Sequence, residues 1–229
     1  MSDLVDRTSK QFWINLWKDG QPIWQLKSVN KFLLHNKEVI LAGKENARVF
    51  IPLCGKAHEL KWFLDLGHRV IGVEFVEQIV LSYFEENHLR MEETTCPIIN
   101  CKIIQTPDHR LQVFVCNIFD FKRECIGPVD IVWDRSGFTA IKKEDRARYA
   151  SLLKSLLAPD FSYGMLSVHY DESLPAQTLA PLSTGEAAIK EHFGDVASKI
   201  LLVDSNVVQS APFLYGAGPV TASLWCLSA

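Results

Sequence analysis

The feature that most constrains this chain is a change of pattern at Arg48, where helical spacing gives way to short apolar strands alternating with helices. Arg48 to Leu53 reads as a buried strand and Ala57 to Leu66 as a helix closed by Gly67. Arg69 to Glu74 reads as a second strand and Val76 to Asn87 as a second helix. Such alternation demands right-handed crossovers, so these strands lie parallel in one sheet. Further strands are expected at Val129 to Trp133, Phe161 to His169, Lys199 to Val203 and Val220 to Leu227. Further helices are expected over Lys143 to Leu157 and from about Thr184 to Phe193. Met91 to Arg110, interrupted by Pro97 and Pro107, reads as irregular, with Lys102 to Gln105 and Leu111 to Cys116 able to pair as strands. Ahead of the sheet, Phe12, Trp13, Leu16 and Trp17 recur at helical spacing until Gly20 and Pro22. A second amphipathic helix is expected over Leu26 to Leu41, stopped by Gly43.

At 229 residues the chain reads as one α/β domain, residues 1–44 forming a helical N-terminal segment and residues 45–229 the core. The net charge of −3 and the absence of a Lys/Arg stripe give no footprint for nucleic acid. The run Lys142-Lys143-Glu144-Asp145-Arg146 reads as a solvated helix start. No apolar stretch is long enough to cross a membrane, and the polar N-terminus carries no signal core. The six cysteines form no C-x-x-C pair, and Cys96/Cys101 lacks a second pair at zinc-like spacing, so reduced thiols, no metal and a cytoplasmic setting are expected. With no dimer motif, a monomer is expected.

In an open parallel sheet, ligands sit at the carboxyl ends of the strands where the order reverses. The first such loop is Ile51-Pro52-Leu53-Cys54-Gly55-Lys56. Its single glycine falls short of G-x-G-x-x-G, and Gly55-Lys56 is followed by Ala57, which fails the P-loop pattern. An adenosine ligand without phosphate needs fewer glycines. Glu74 ends the second strand, where an acid can accept both hydrogen bonds of a ribose diol; otherwise it is an acid at a helix N-terminus. One glycine with a ribose acid points to S-adenosylmethionine over a nicotinamide dinucleotide.

The loop Arg48-Val49-Phe50-Ile51-Pro52-Leu53-Cys54-Gly55-Lys56 is joined by Leu60-Lys61-Trp62-Phe63, Gly67-His68, Gly72-Val73-Glu74, Ile118-Phe119-Asp120 and Trp133-Asp134-Arg135. Together these resemble the thiopurine S-methyltransferases over nearly the whole chain. The resemblance implies a class I methyltransferase (Rossmann-like) fold. That fold has a mostly parallel seven-stranded sheet with helices on both faces, here under an N-terminal helical lid. It implies transfer of a methyl group from S-adenosyl-L-methionine to sulfur, leaving S-adenosyl-L-homocysteine. Residue by residue, it places Leu53 and Gly55 along the methionine part, Glu74 on the ribose, and Asn117 and Ile118 beside the adenine. It places Trp13, Trp17 and Trp24 in the segment folded over the cofactor. Trp24, where the family usually has Phe, lies beside the substrate. Read by spacing alone, Trp13 and Trp17 share a helix face that suits a core, and Ile118 suits core packing.

Arg135 is the cation expected at the site mouth, touching the cofactor region and favouring a thiolate acceptor directly or through water; the alternative is an ion pair with Asp134 or another acid. His58, His68 and His169 form no triad-like pattern and read as surface or supporting residues, and Cys54 as a packed small residue. Two segments depart from the family. Pro175 to Leu182 lacks the usual Gly-Pro-Pro-Phe run, and Asn206 to Gly218 contains no Arg or Lys. Both border the acceptor, which leaves a thiopurine, another small thiol or a selenium compound open. A non-catalytic adenosyl-binding protein is the competing class.

Overall fold

The computed structural model describes residues 14, 15, 17, 18, 25–173, 181–208 and 218–229. Trp13 and Trp24 lie outside the described residues, as do 174–180 and 209–217 within the two divergent segments.

Two short helices, α1 (Lys31–His35) and α2 (Lys37–Leu41), stand where one was expected. Asn30 starts α1 by accepting a hydrogen bond from the Phe32 N–H at 2.9 Å. Asn36 divides the pair, its amide donating to the Phe32 carbonyl and to Asp204 Oδ2. Ala42 and Gly43 both turn left-handed, which stops α2 at the expected glycine.

Strand β1 (Arg48–Ile51) leads through α3 (His58–Asp65) to β2 (Arg69–Glu74), then α4 (Glu77–Glu86). A hairpin of β3 (Glu92–Thr95) and β4 (Lys102–Gln105) precedes β5 (Leu111–Val115). Next come β6 (Val129–Arg135), α5 (Gly137–Ala140) and α6 (Arg146–Leu156). The long strand β7 (Leu157–His169), α7 (Glu186–Phe193), β8 (Lys199–Val208) and β9 (Val220–Ser228) close the fold. The sheet order is β3-β4-β5-β2-β1-β6-β7-β9-β8. The five central strands are parallel, while β9 and the β3/β4 hairpin join them antiparallel.

Among the described residues the sheet thus has nine strands where seven were expected. The seven from β5 to β8 match the expected set, and the hairpin extends its outer edge. Glu92–Thr95 was unreadable as a strand because it reads Glu-Glu-Thr-Thr and all four residues are exposed. β7 starts at Leu157, four residues earlier than expected. Its pairing with β6 jumps from Val129↔Leu157 to Ile131↔Ser162, so the first residues, Pro159 included, form an irregular lead-in.

Two apolar layers sandwich the sheet. Leu33, Ile40, Leu60, Phe63, Tyr83 and Phe84 pack on one face together with Trp133. Phe138, Tyr149, Leu153, Ile189 and Phe193 cover the other face. Each fully buried side chain of this kind contributes about 1.5–3 kcal/mol. The sheet therefore holds its strand ends, and the loops on them, in fixed places.

Candidate functional site

β1 is flanked by β2 on one side and β6 on the other, so the connections leave it in opposite directions. The crevice at its carboxyl end is the switch point of the sheet. Pro52 to Ala57 form the loop there, Glu74 ends β2 beside it, Asn117 follows β5, and Arg135 ends β6.

The loop is held in unusual backbone geometry. Leu53 has φ +47° and Gly55 φ +48°, both left-handed. For leucine this costs about 1–2 kcal/mol, a strain that persists only where the surroundings over-determine it. The surroundings are visible. Cys54 donates its N–H to the Val73 carbonyl at 2.9 Å and tucks its sulfur against Gly72. A Cβ at Gly72 would lie 2.7 Å from Cys54 Sγ, so the buried thiol needs that glycine. Burial raises the Cys54 thiol well above its ordinary value, in keeping with a packed and unreactive residue.

Glu74 joins the two strand ends. One carboxylate oxygen accepts from the Gly55 N–H at 3.0 Å, and the other from the N–H groups of Phe75 and Val76 at 2.6 and 2.7 Å. Burial pushes its proton affinity up, and these three N–H groups pull it back. Trp17 completes the group. A Cβ on Gly55 would stand 3.3 Å from the Trp17 ring and 3.9 Å from Glu74 Oε2. Lys56 Nζ lies 5.8 Å from the same ring while paired with Glu86. Trp17, Gly55 and Glu74 thus converge at one corner of the crevice.

Residues 25–30 dock on the same corner. Gln25 donates to the Lys56 carbonyl at 2.9 Å, His58 Nε2 meets the Leu26 carbonyl at 3.0 Å, and the Asn30 N–H donates to Glu59 at 2.9 Å. His58 is therefore a tie between segments. His68 is buried and accepts from the Ala47 N–H through Nδ1. His169 is exposed at the end of β7 and contacts Ser183 Oγ at 3.1 Å.

Across the crevice, Asp134 is fully buried and accepts from the N–H groups of Gly137 and Phe138 and from the hydroxyls of Tyr149 and Tyr163. Burial raises its carboxyl while the four donors oppose that rise. Strand alternation sends Arg135 to the opposite face, the side of Trp133 and the N-terminal helices. Asp134 is thus committed to holding α5, and the left-handed Ser136 (φ +64°) turns the chain immediately after Arg135. Asn117 is exposed and caps a 3₁₀ turn by accepting from the Phe119 N–H. Ile118 is buried in the core, as its spacing alone indicated.

Two residues escaped the sequence reading. Asp134 carried no signal beyond its neighbours. Arg146 was grouped with a solvated run; Lys142 to Glu144 are indeed exposed, but Arg146 is only 4% exposed. It bonds Thr184 Oγ1 at 2.8 Å and the Leu182 and Ser183 carbonyls, over the Phe138 ring. Its position three and seven residues before Tyr149 and Leu153, on the inner face of α6, was the available sign.

The family model for thiopurine S-methyltransferase matches residues 8–212. The chain belongs to the thiopurine S-methyltransferase family. Within that family, it is 31% identical to a probable thiopurine S-methyltransferase of Danio rerio, over 94% of this chain and 93% of the relative. It is 34% identical to the thiopurine S-methyltransferase of Equus caballus, over 81% and 76%. Among solved structures, an S-adenosylmethionine-dependent methyltransferase from Anabaena variabilis superposes with TM-score 0.63 at 15% identity, covering 95% of this chain and 93% of that one. The Burkholderia thailandensis 1,6-didemethyltoxoflavin-N1-methyltransferase, solved with S-adenosylhomocysteine, gives 0.61 at 14%, covering 96% and 87%. At these identities the likeness speaks for the fold, which is that of class I methyltransferases, as this member of the family was expected to have.

Proposed function

We propose that this chain transfers the methyl group of S-adenosylmethionine to the sulfur of a small thiol or thiopurine. The observation that carries the reading is the convergence of Trp17, Gly55 and Glu74 at the switch point of the sheet, in a chain of this family. The residues fit the cofactor. Gly55 leaves a cradle that a Cβ would fill, and Glu74 presents an acceptor-only group at a strand end, suited to a ribose diol. Leu53 would lie along the methionine part, and Asn117 and Ile118 would flank the adenine. Trp13, Trp17 and Trp24 would fold over the cofactor, with Trp24 toward the acceptor and residues 1–44 acting as the lid.

When bound, S-adenosylmethionine supplies an electrophilic methyl on a sulfonium. The chain's task is then to align the acceptor, exclude water and favour the thiolate. Alignment contributes about 7–11 kcal/mol. A cation facing an aromatic ring gains about 0.5–2 kcal/mol, which suits Trp17 at this corner. Attack of an anion on a cation disperses charge, so a dry site under the lid accelerates it. A free thiol has a pKa near 8.5, so a few per cent is already ionised at neutral pH and a neighbouring cation raises that share. Arg135, at the end of β6 and on the face of the N-terminal helices, fills that role. We read the enzyme as a cytoplasmic monomer; no helix among the described residues is long and apolar enough to cross a membrane.

Calorimetry tests the cofactor half. S-adenosylhomocysteine should bind with micromolar affinity and NAD should not bind; the reverse preference would remove the proposal.

A further inference from the structure

Four of the six cysteines meet on the far side of the sheet from the N-terminal segment. The β3/β4 ladder ends at Thr95↔Lys102, so its next step sets Cys96 opposite Cys101. The Cys96 N–H donates to the Cys101 carbonyl at 2.8 Å, which confirms that step. The β4/β5 ladder ends at Lys102↔Val115, so its next step sets Cys101 opposite Cys116. Three cysteines therefore stand side by side just past the ends of three neighbouring strands. Cys125, from the turn after β5, packs against the same apolar layer. Nothing in the sequence spacing announced this, because strand register brings the residues together.

Residues directly opposed in an antiparallel pair have Cα atoms about 4.5–5.5 Å apart, within the 4.4–6.8 Å that a disulfide spans. Cys101 and Cys116 are both half-buried and reachable from solvent, whereas Cys96 is sealed in the core. We propose that Cys101 and Cys116 form a dithiol modification site that hydrogen peroxide closes to a cross-strand disulfide.

The two thiols are close enough to perturb one another. Burial raises both, Cys96 raises Cys101 further against a smaller opposing hydrogen bond from Cys116, and Cys101 raises Cys116. Either sulfur can attack first; with Cys101 attacking, Cys116 is the resolving one. Cys125 is likewise pushed up to about 11 by burial and Cys96. The Cys101 thiolate attacks one peroxide oxygen and the O–O bond breaks. A sulfenic acid forms, and the other oxygen leaves as water after taking up a proton. The Cys116 sulfur then displaces the sulfenic hydroxyl, which leaves as a second water with the Cys116 proton. In sum, two thiols and one peroxide give one disulfide and two waters; sulfur is oxidised and peroxide reduced. Because both thiols are held protonated at neutral pH, closure is slow there and accelerates as pH rises. The bond would fasten β4 to the residue immediately before Asn117, where the proposed adenine contacts begin.

The full chain treated with hydrogen peroxide at pH 7.5 and pH 9, then digested without reductant, tests this by mass spectrometry. The expected product is a linked Cys101–Cys116 peptide, formed faster at pH 9, with two of the six thiols lost. Closing a 15-residue loop (116 minus 101) should raise Tm by roughly 5 °C or more. The link should vanish in Cys101→Ser and in Cys116→Ser, and persist in Cys125→Ser. Reduced Tm values near that of the parent would show that each variant folds. A link between Cys96 and Cys125 instead, or oxidation of Cys101 to sulfinic or sulfonic acid without any link, would overturn the proposal.

Discussion

Glu74→Gln is the perturbation whose size the structure allows to be worked out. The carboxylate accepts three backbone N–H groups, one at Oε2 from Gly55 and two at Oε1 from Phe75 and Val76. A glutamine that keeps its carbonyl oxygen on the doubly bonded side must turn its NH₂ toward the Gly55 N–H, donor against donor. One charge-assisted bond is lost, which costs about 1.5–3 kcal/mol. In a chain of this size that lowers Tm by roughly 3–12 °C. The ribose loses one anionic acceptor as well, so affinity for S-adenosylhomocysteine should fall roughly 10- to 150-fold. Calorimetry on the parent and the variant measures this. A ligand lacking both ribose hydroxyls makes the assignment specific: the parent should lose affinity for it, and the variant should lose much less. A folded Glu74→Gln protein that binds S-adenosylhomocysteine within twofold of the parent would refute the ribose role.

Other outcomes follow from particular side chains. Arg135→Leu should cut turnover on weakly acidic thiols at least tenfold while changing cofactor affinity little, and the loss should shrink as assay pH rises and the acceptor ionises unaided; steady-state kinetics across pH 7–9.5 would show it. His68 is buried with its proton affinity lowered, and its Nδ1 must stay unprotonated to accept from Ala47. The unfolded chain therefore takes up a proton below about 6.5 that the folded one resists, and stability falls as pH drops through that window; His68→Gln should flatten the slope in urea titrations at pH 7 and pH 5.5. Asp108 is held down to about 2 by the Thr106 hydroxyl and by Arg110. Its contribution is present above the ordinary value of 3.8 and lost as pH falls toward 2, so Asp108→Asn should destabilise at pH 7 and be neutral at pH 2.

The core elements were legible because their signals are local. Val49, Phe50 and Ile51, like Val70, Ile71 and Val73, are apolar runs bounded by turn residues, and both became central strands buried on both faces. Glu74 and Gly55 were legible from their place at strand ends. What remained hidden depends on long-range placement. The exposed Glu-Glu-Thr-Thr strand gains its hydrogen bonds only because Lys102–Gln105 lies alongside. Arg146 looks solvated in sequence but finds carbonyls 36 and 37 residues away. The Asp134 network draws on Tyr149 and Tyr163 from other elements. The left-handed Leu53 was equally hidden, since nothing in Pro-Leu-Cys-Gly marks leucine as the strained residue.

The reaction itself gives the most direct test of the central claim. Purified protein incubated with S-adenosylmethionine carrying a labelled methyl, and with a panel of thiopurines, aliphatic thiols, sulfide and selenium compounds, should yield a product whose label sits on sulfur. One S-adenosylhomocysteine should form per methyl transferred. Label found only on nitrogen or oxygen, or no transfer to any sulfur or selenium acceptor by a protein that binds the cofactor, would contradict it.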